Sequence, residues 1–130
     1  MKENTTGFSV RRLFKSFRFA FAGLIDFFLA ENNARVHTAA TVAVIVCGFL
    51  FNISNTEWLA VIIVTAMVWS AELFNTVVEK LMDHITPGHH PQVKIIKDVS
   101  AAAVLVTAIA ALVAGLIIFI PKIKLYADIF

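Results

Sequence analysis

Long apolar runs and short polar interruptions alternate along the chain. Three runs, about Val36–Phe51, Trp58–Val78 and Val99–Ile120, are almost free of charge. A hydrocarbon core of about 30 Å takes roughly 20 helical residues to cross. The second and third runs reach that length. The first does so only with the Asn32–Arg35 approach or with local thinning of the bilayer. Ahead of them, Phe14, Phe17, Phe21, Leu24 and Phe28 recur at steps of three and four, which is one helix face, while Arg11, Lys15 and Arg18 lie on another. A basic face opposite a phenylalanine-rich one predicts a helix lying in the membrane interface. Phe19 departs from this pattern. It falls in one stripe with Arg12 and Asp26 on the side away from lipid, where it meets either a ligand or a neighbouring helix.

The pattern therefore predicts an all-α integral membrane protein: a surface helix over 7–30, then helices over 34–51, 57–85 and 92–121 that contain three spans, in one domain over 1–130. The segment DHITPGHHPQVK between the last two spans holds the obvious mid-sequence breakers, Pro87, Gly88 and Pro91. The loop NISNTE, residues 52–57, has no lysine or arginine, whereas Lys2, Arg11, Arg12, Lys15, Arg18 and Arg35 precede the first span and Lys80, Lys94 and Lys97 lie around the linker. Only Lys122 and Lys124 fall on the opposite side, so the N-terminus and the 80–97 linker are expected to be cytoplasmic and the C-terminus outside. The alanine-rich third span, SAAAVLVTAIAALVAG, suits close helix approach in lipid, and three helices offer little interior, so a homo-oligomer is expected.

Composition strengthens the membrane reading. The chain has 130 residues, 59% of them hydrophobic and 15% charged, against about 45–50% and about 25% in soluble domains. A net charge of +2 is too small to point to nucleic acid. The single cysteine, Cys47, excludes an internal disulfide and reads as a small buried hydrophobe. The basic-to-apolar start resembles a signal peptide, but Asp26 interrupts it and no clear cleavage site follows, so residues 1–33 are expected to belong to the mature protein.

Against this background the stretch AELFNTVVEKLMDH, residues 71–84, is anomalous. Glu72, Asn75 and Glu79 share one helix face, and Asp83 continues it. On a helix from about Glu57 to Ile85, Glu72 lies roughly 22 Å along and Glu79 roughly 33 Å along. Glu72 is thus within the apolar region and Glu79 near the interface. Ionisable groups at such depth usually face a partner or a water-filled cavity. A buried glutamate there suits general-base work. Glu31, at the entry to the first span, is expected at the same interface as Glu79, and two such carboxylates could hold a divalent cation. Magnesium takes one or two protein carboxylates and completes its shell with phosphate and water. Lys97 either pairs with phosphate or is a snorkelling positive-inside lysine. His84, His89 and His90 match no standard zinc spacing. No P-loop occurs, so a nucleotide would be held by side chains and metal.

ELFNTVVEKLMD (72–83), AENNAR (30–35) and HHPQVKIIKDVSAAAVL (89–105), in a three-span order, resemble the small prokaryotic diacylglycerol kinase family, which includes undecaprenol kinases. The match runs over about Gly7–Pro121, and its central motif is long and specific. The resemblance implies transfer of the ATP γ-phosphate to the hydroxyl of a membrane lipid, in a homotrimer in the bacterial cytoplasmic membrane. It implies Glu72 as the base, supported by Asn75, and Glu31 and Glu79 as Mg²⁺ ligands. Lys97 and Asp98 with His89 and His90, and Arg12 and Phe19 from the surface helix, would contact the nucleotide along with those two acids. Many members have tyrosine at Phe19. Arg35, Glu72 and Ala101 would meet the lipid. His37 and the HHP of the linker favour undecaprenol over diacylglycerol as acceptor. Two other classes are weighed against a kinase. A cation or proton transporter would place acids near the midplane and on the third span. A purely structural subunit leaves Glu72 unexplained.

Overall fold

The computed structural model describes residues 9–128; Lys2 and the start of the expected surface helix, residues 7 and 8, lie outside them. Among the described residues there are four helices: α1 (Val10–Ala30), α2 (Asn32–Leu50), α3 (Asn55–Ile85) and α4 (Pro91–Ala127). The chain divides into two compact units, 1–35 and 36–130.

The first unit is α1 with the opening residues of α2. Phe14, Phe17 and Phe21 are well exposed along α1, and Phe27 is buried. The ammonium of Lys15 lies 5.7 Å from the ring centroid of Phe19, one turn on, so Phe19 sits beside a cation. Glu31 is extended, with φ −104° and ψ 122°, and forms the single-residue break between α1 and α2.

In the second unit α3 and α4 are antiparallel. Asp83 pairs with Lys97 near the linker, and Glu57 pairs with Lys122 at 3.1 Å near the opposite end. α3 and α4 pack closely along their length, and α2 approaches them at fewer points. α3 starts at Asn55 because Ser54 caps it reciprocally: the Ser54 hydroxyl accepts from the Glu57 amide, and Glu57 accepts from the Ser54 amide at 2.6 Å. Asn52, at φ 48°, takes the left-handed turn conformation that asparagine tolerates. Trp58 then lies over Gly48 of α2 so closely that a Cβ there would stand 2.5 Å from the indole. Ile53, Val61 and Ile118 form a buried cluster at this end, with Val44, Phe51, Trp58 and Phe119 packed against it. Cys47 is half-buried.

The linker turns at Gly88, whose φ of 113° disfavours any side chain. Pro91 then opens α4 at a position where its missing N–H costs nothing, with His90 as N-cap. α4 differs from the expected 92–121 by continuing through Pro121 to Ala127. Pro121 removes a single backbone donor. Beyond it, Lys122 bonds Glu57, and the ring of Tyr126 meets Phe51 edge-on at 5.4 Å, which gives the last turns partners.

α2, α3 and α4 are each long and apolar enough to cross a membrane. Their outward faces carry residues such as Ile62, Val106 and Ile117, each at least 60% exposed. Such surface suits hydrocarbon, and the helices satisfy their own backbone groups as lipid demands. This is the architecture of a membrane protein.

Candidate active site

The polar stripe of α3 is real and mostly buried. Glu72, Asn75 and Thr76 are 3%, 6% and 7% exposed, Glu79 is half-buried, and Asp83 is exposed. Spacing of three and four puts the carboxylates of 72 and 79 and the amide of 75 on one face. The structure adds what each of them touches.

Glu72 is held by a residue from α2. Its Oε1 lies 2.8 Å from Nε2 of His37. The His37 backbone carbonyl accepts a 2.7 Å bond from the Thr41 hydroxyl. That hydroxyl in turn accepts from the indole N–H of Trp69 at 3.1 Å. The Trp69 and His37 rings meet edge-on at 6.2 Å. A His–Glu contact between spans fits the rule that ionisable groups in membrane helices pair with one another.

One helical turn on, Asn75 donates its amide N–H to Glu79 Oε1 at 3.3 Å. Its own carbonyl oxygen, Oδ1, is buried without a partner. An unsatisfied buried acceptor costs about 1–3 kcal/mol, so it marks a place where a donor or a cation is expected. Asn75 Oδ1 and the Glu79 carboxylate are hard oxygen donors on neighbouring turns, the donor type magnesium prefers. Among the described residues no three of histidine, cysteine, aspartate and glutamate converge as a metal-binding set. Such an ion would therefore draw further ligands from phosphate and water.

At the linker, Lys97 bonds Asp83 and Lys94 bonds Asp98 at 2.6 Å. Lys97 and Asp98 therefore each have a protein partner, and both pairs are exposed enough to exchange it. His90 caps α4 by accepting from the Gln92 amide at 3.3 Å through Nδ1, and His89 is exposed beside it. Ala101 lies exposed on α4. Arg12, Phe19, Glu31 and Arg35 belong to the first unit, where Arg12, Phe19 and Arg35 are exposed and Glu31 is half-buried.

Toward the α2–α3 turn the three helices enclose an apolar cleft of about 450 Å³. His37, Thr41, Thr65 and Trp69 supply its polar atoms, and Ala108, Ala111 and Gly115 of α4 form a small-residue wall. His37 thus touches both the cleft and Glu72. Sequence reasoning missed that role, although the signal was visible: an ionisable ring in the apolar run VHTAATVAV needs a partner.

Comparison with known proteins agrees with these features. The chain is 41% identical over 114 residues to the undecaprenol kinase of Bacillus subtilis, covering 88% of this chain and 93% of that protein. It is 36% identical over 113 residues to a diacylglycerol kinase of Synechocystis, of which it spans 64%. It is 28% identical over 94 residues to a diacylglycerol kinase of Pseudomonas aeruginosa, covering 76% of that protein. The family model for prokaryotic diacylglycerol kinase matches residues 18–119, a stretch that includes the polar stripe, the linker and all but the last turns of α4. The chain belongs to the prokaryotic diacylglycerol kinase family.

Proposed function

We propose that this protein is an ATP-dependent lipid kinase that transfers a γ-phosphate to the hydroxyl of undecaprenol. The buried Glu72–Asn75–Glu79 stripe carries this reading, because it is costly polarity that packing alone does not explain. The acceptor rests on the relative at 41% identity. Diacylglycerol is the second reading, favoured by the relative at 36%.

Phosphoryl transfer asks a protein mainly for positioning and charge stabilisation. Glu72 accepts the proton of the lipid hydroxyl as its oxygen attacks the γ-phosphorus and ADP leaves. The burial of Glu72 on an apolar helix supports that role, since the hydroxyl to be activated belongs to a membrane lipid. Glu79 and Glu31 would hold the magnesium of the nucleotide, and Asn75 Oδ1, one turn from Glu79 on α3, is a further oxygen donor. Bound magnesium would supply charge neutralisation for the phosphate being transferred. Lys97 exchanges Asp83 for phosphate, and Asp98, His89 and His90 border the nucleotide with Arg12 and Phe19. Arg35 and Ala101 face the lipid.

The phenylalanine face of α1 lies in the membrane interface. The lysine and arginine distribution supports a cytoplasmic N-terminus and linker in a bacterial cytoplasmic membrane. The working unit is a homotrimer, which would cover the small-residue face of α4. Purified protein offered undecaprenol and diacylglycerol together with Mg-ATP is expected to label undecaprenol preferentially. Preferential labelling of diacylglycerol transfers the assignment to the second reading, and labelling of neither lipid removes both.

A further inference from the structure

The kinase reading gives His37 no part in the transfer itself, yet His37 makes the one hydrogen bond described for Glu72. A glutamate side chain has three rotatable torsions, and general-base catalysis needs its oxygen within hydrogen-bond reach of the proton it takes. A buried carboxylate with no directional contact wanders among rotamers, or turns toward whatever donor is near. Here Oε1 is tied at 2.8 Å, and the tie is itself anchored. Thr41 and His37 share a face of α2, one turn apart, and Trp69 and Glu72 share a face of α3. The indole N–H of Trp69 fixes the Thr41 hydroxyl, and that hydroxyl fixes the His37 carbonyl. The Trp69 ring walls the imidazole edge-on. The imidazole is thus held at its backbone and its face, with Nε2 directed at Glu72.

We propose that His37 is a positioning residue for Glu72. Its Nε2–H donates to Oε1, fixes the carboxylate rotamer, and leaves Oε2 to take the proton of the acceptor hydroxyl. Both the Nε2–H tautomer and the imidazolium donate at this atom, so the role requires a donor rather than a charge. This inference rests on the reading of Glu72 as the base.

Three substitutions separate the donor from the bulk of the ring. His37→Leu fills the space without a donor. His37→Gln returns an N–H near the place of Nε2. His37→Asn is polar, but its amide ends near the place of Nδ1, short of Glu72. Removing a partner that orients a reacting group typically costs about 10–100-fold in activity. We expect that loss in kcat for Leu and Asn, with KM for lipid and ATP changed less than about twofold, because an interaction needed only in the transition state has gone. Gln is expected to recover kcat to within about threefold of the parent. Wild-type kcat in His37→Asn or His37→Leu overturns the proposal. So does a His37→Gln enzyme as slow as His37→Asn while both unfold at the parental temperature, or a loss that appears only in KM. Glu72→Gln, assayed in parallel, separates the two levels. An active Glu72→Gln overturns the base reading and this inference with it. An inactive Glu72→Gln beside a fully active His37→Asn overturns the positioning role alone.

Discussion

The two ends of the α3–α4 hairpin differ in what they bury. At the α2–α3 turn the charged group is met from two sides: Ser54 and Glu57 cap one another, and Glu57 pairs with Lys122. These sit over an apolar cluster of Ile53, Val61 and Ile118. Toward the linker, α3 buries Glu72 and Asn75 and leaves Asn75 Oδ1 without a partner. Burial of polarity that local structure does not satisfy is the mark of a group waiting for something else. The turn end packs the hairpin, and the linker end holds the buried polarity on which the proposed chemistry rests.

Substitutions can break or sharpen that division. The largest expected effect is on rate at the linker end. Glu72→Gln should lower phosphate transfer by about 10²–10⁴-fold, the usual contribution of a general base, without lowering the unfolding temperature in detergent. Next, Glu79→Gln should raise the Mg²⁺ needed for half-maximal activity by more than about tenfold, read from a magnesium titration at fixed ATP. Asn75→Leu is the most discriminating of the set. It removes a buried acceptor whose lack of a partner costs about 1–3 kcal/mol, so activity should fall while thermal stability holds or rises. At the turn end the signs reverse. Gly48→Val drives side-chain atoms into the Trp58 indole and should cost about 1–3 kcal/mol of stability, with kcat of the folded fraction unchanged. Ser54→Ala, the smallest, should cost about 1 kcal/mol through the lost cap and leave kcat as it was. A turn-end variant that slows turnover without loss of stability would erase the division.

Much of this was legible in the sequence because it depends on local periodicity. Apolar runs at or near membrane length marked the three candidate spanning helices, and steps of three and four set Glu72, Asn75 and Glu79 on one face. The pattern was less informative where partners distant in sequence decide the outcome. Pro121 looked like an end, yet α4 continues because Lys122 and Tyr126 find Glu57 and Phe51 across the turn. Lys97 reads in the sequence as a phosphate contact or a snorkelling lysine, and its Asp83 partner shows only once α3 and α4 align. The His37–Glu72 contact joins residues 35 apart and needs α2 to lie beside α3. The unpartnered oxygen of Asn75 exists only once the helices have closed over it. Local spacing identifies the carboxylates, and tertiary packing determines how they are held.

The most direct test measures transfer of the ATP γ-phosphate to undecaprenol by the parent, Glu72→Gln and Gly48→Val, each in one detergent preparation whose unfolding temperature is also recorded. The expected result is a parent that labels the lipid, a Glu72→Gln that unfolds normally and transfers at least about 100-fold more slowly, and a Gly48→Val that unfolds earlier but turns over at the parental rate per folded molecule. A normally folded Glu72→Gln that labels the lipid at the parental rate would contradict the assignment of the buried stripe as the site of phosphoryl transfer.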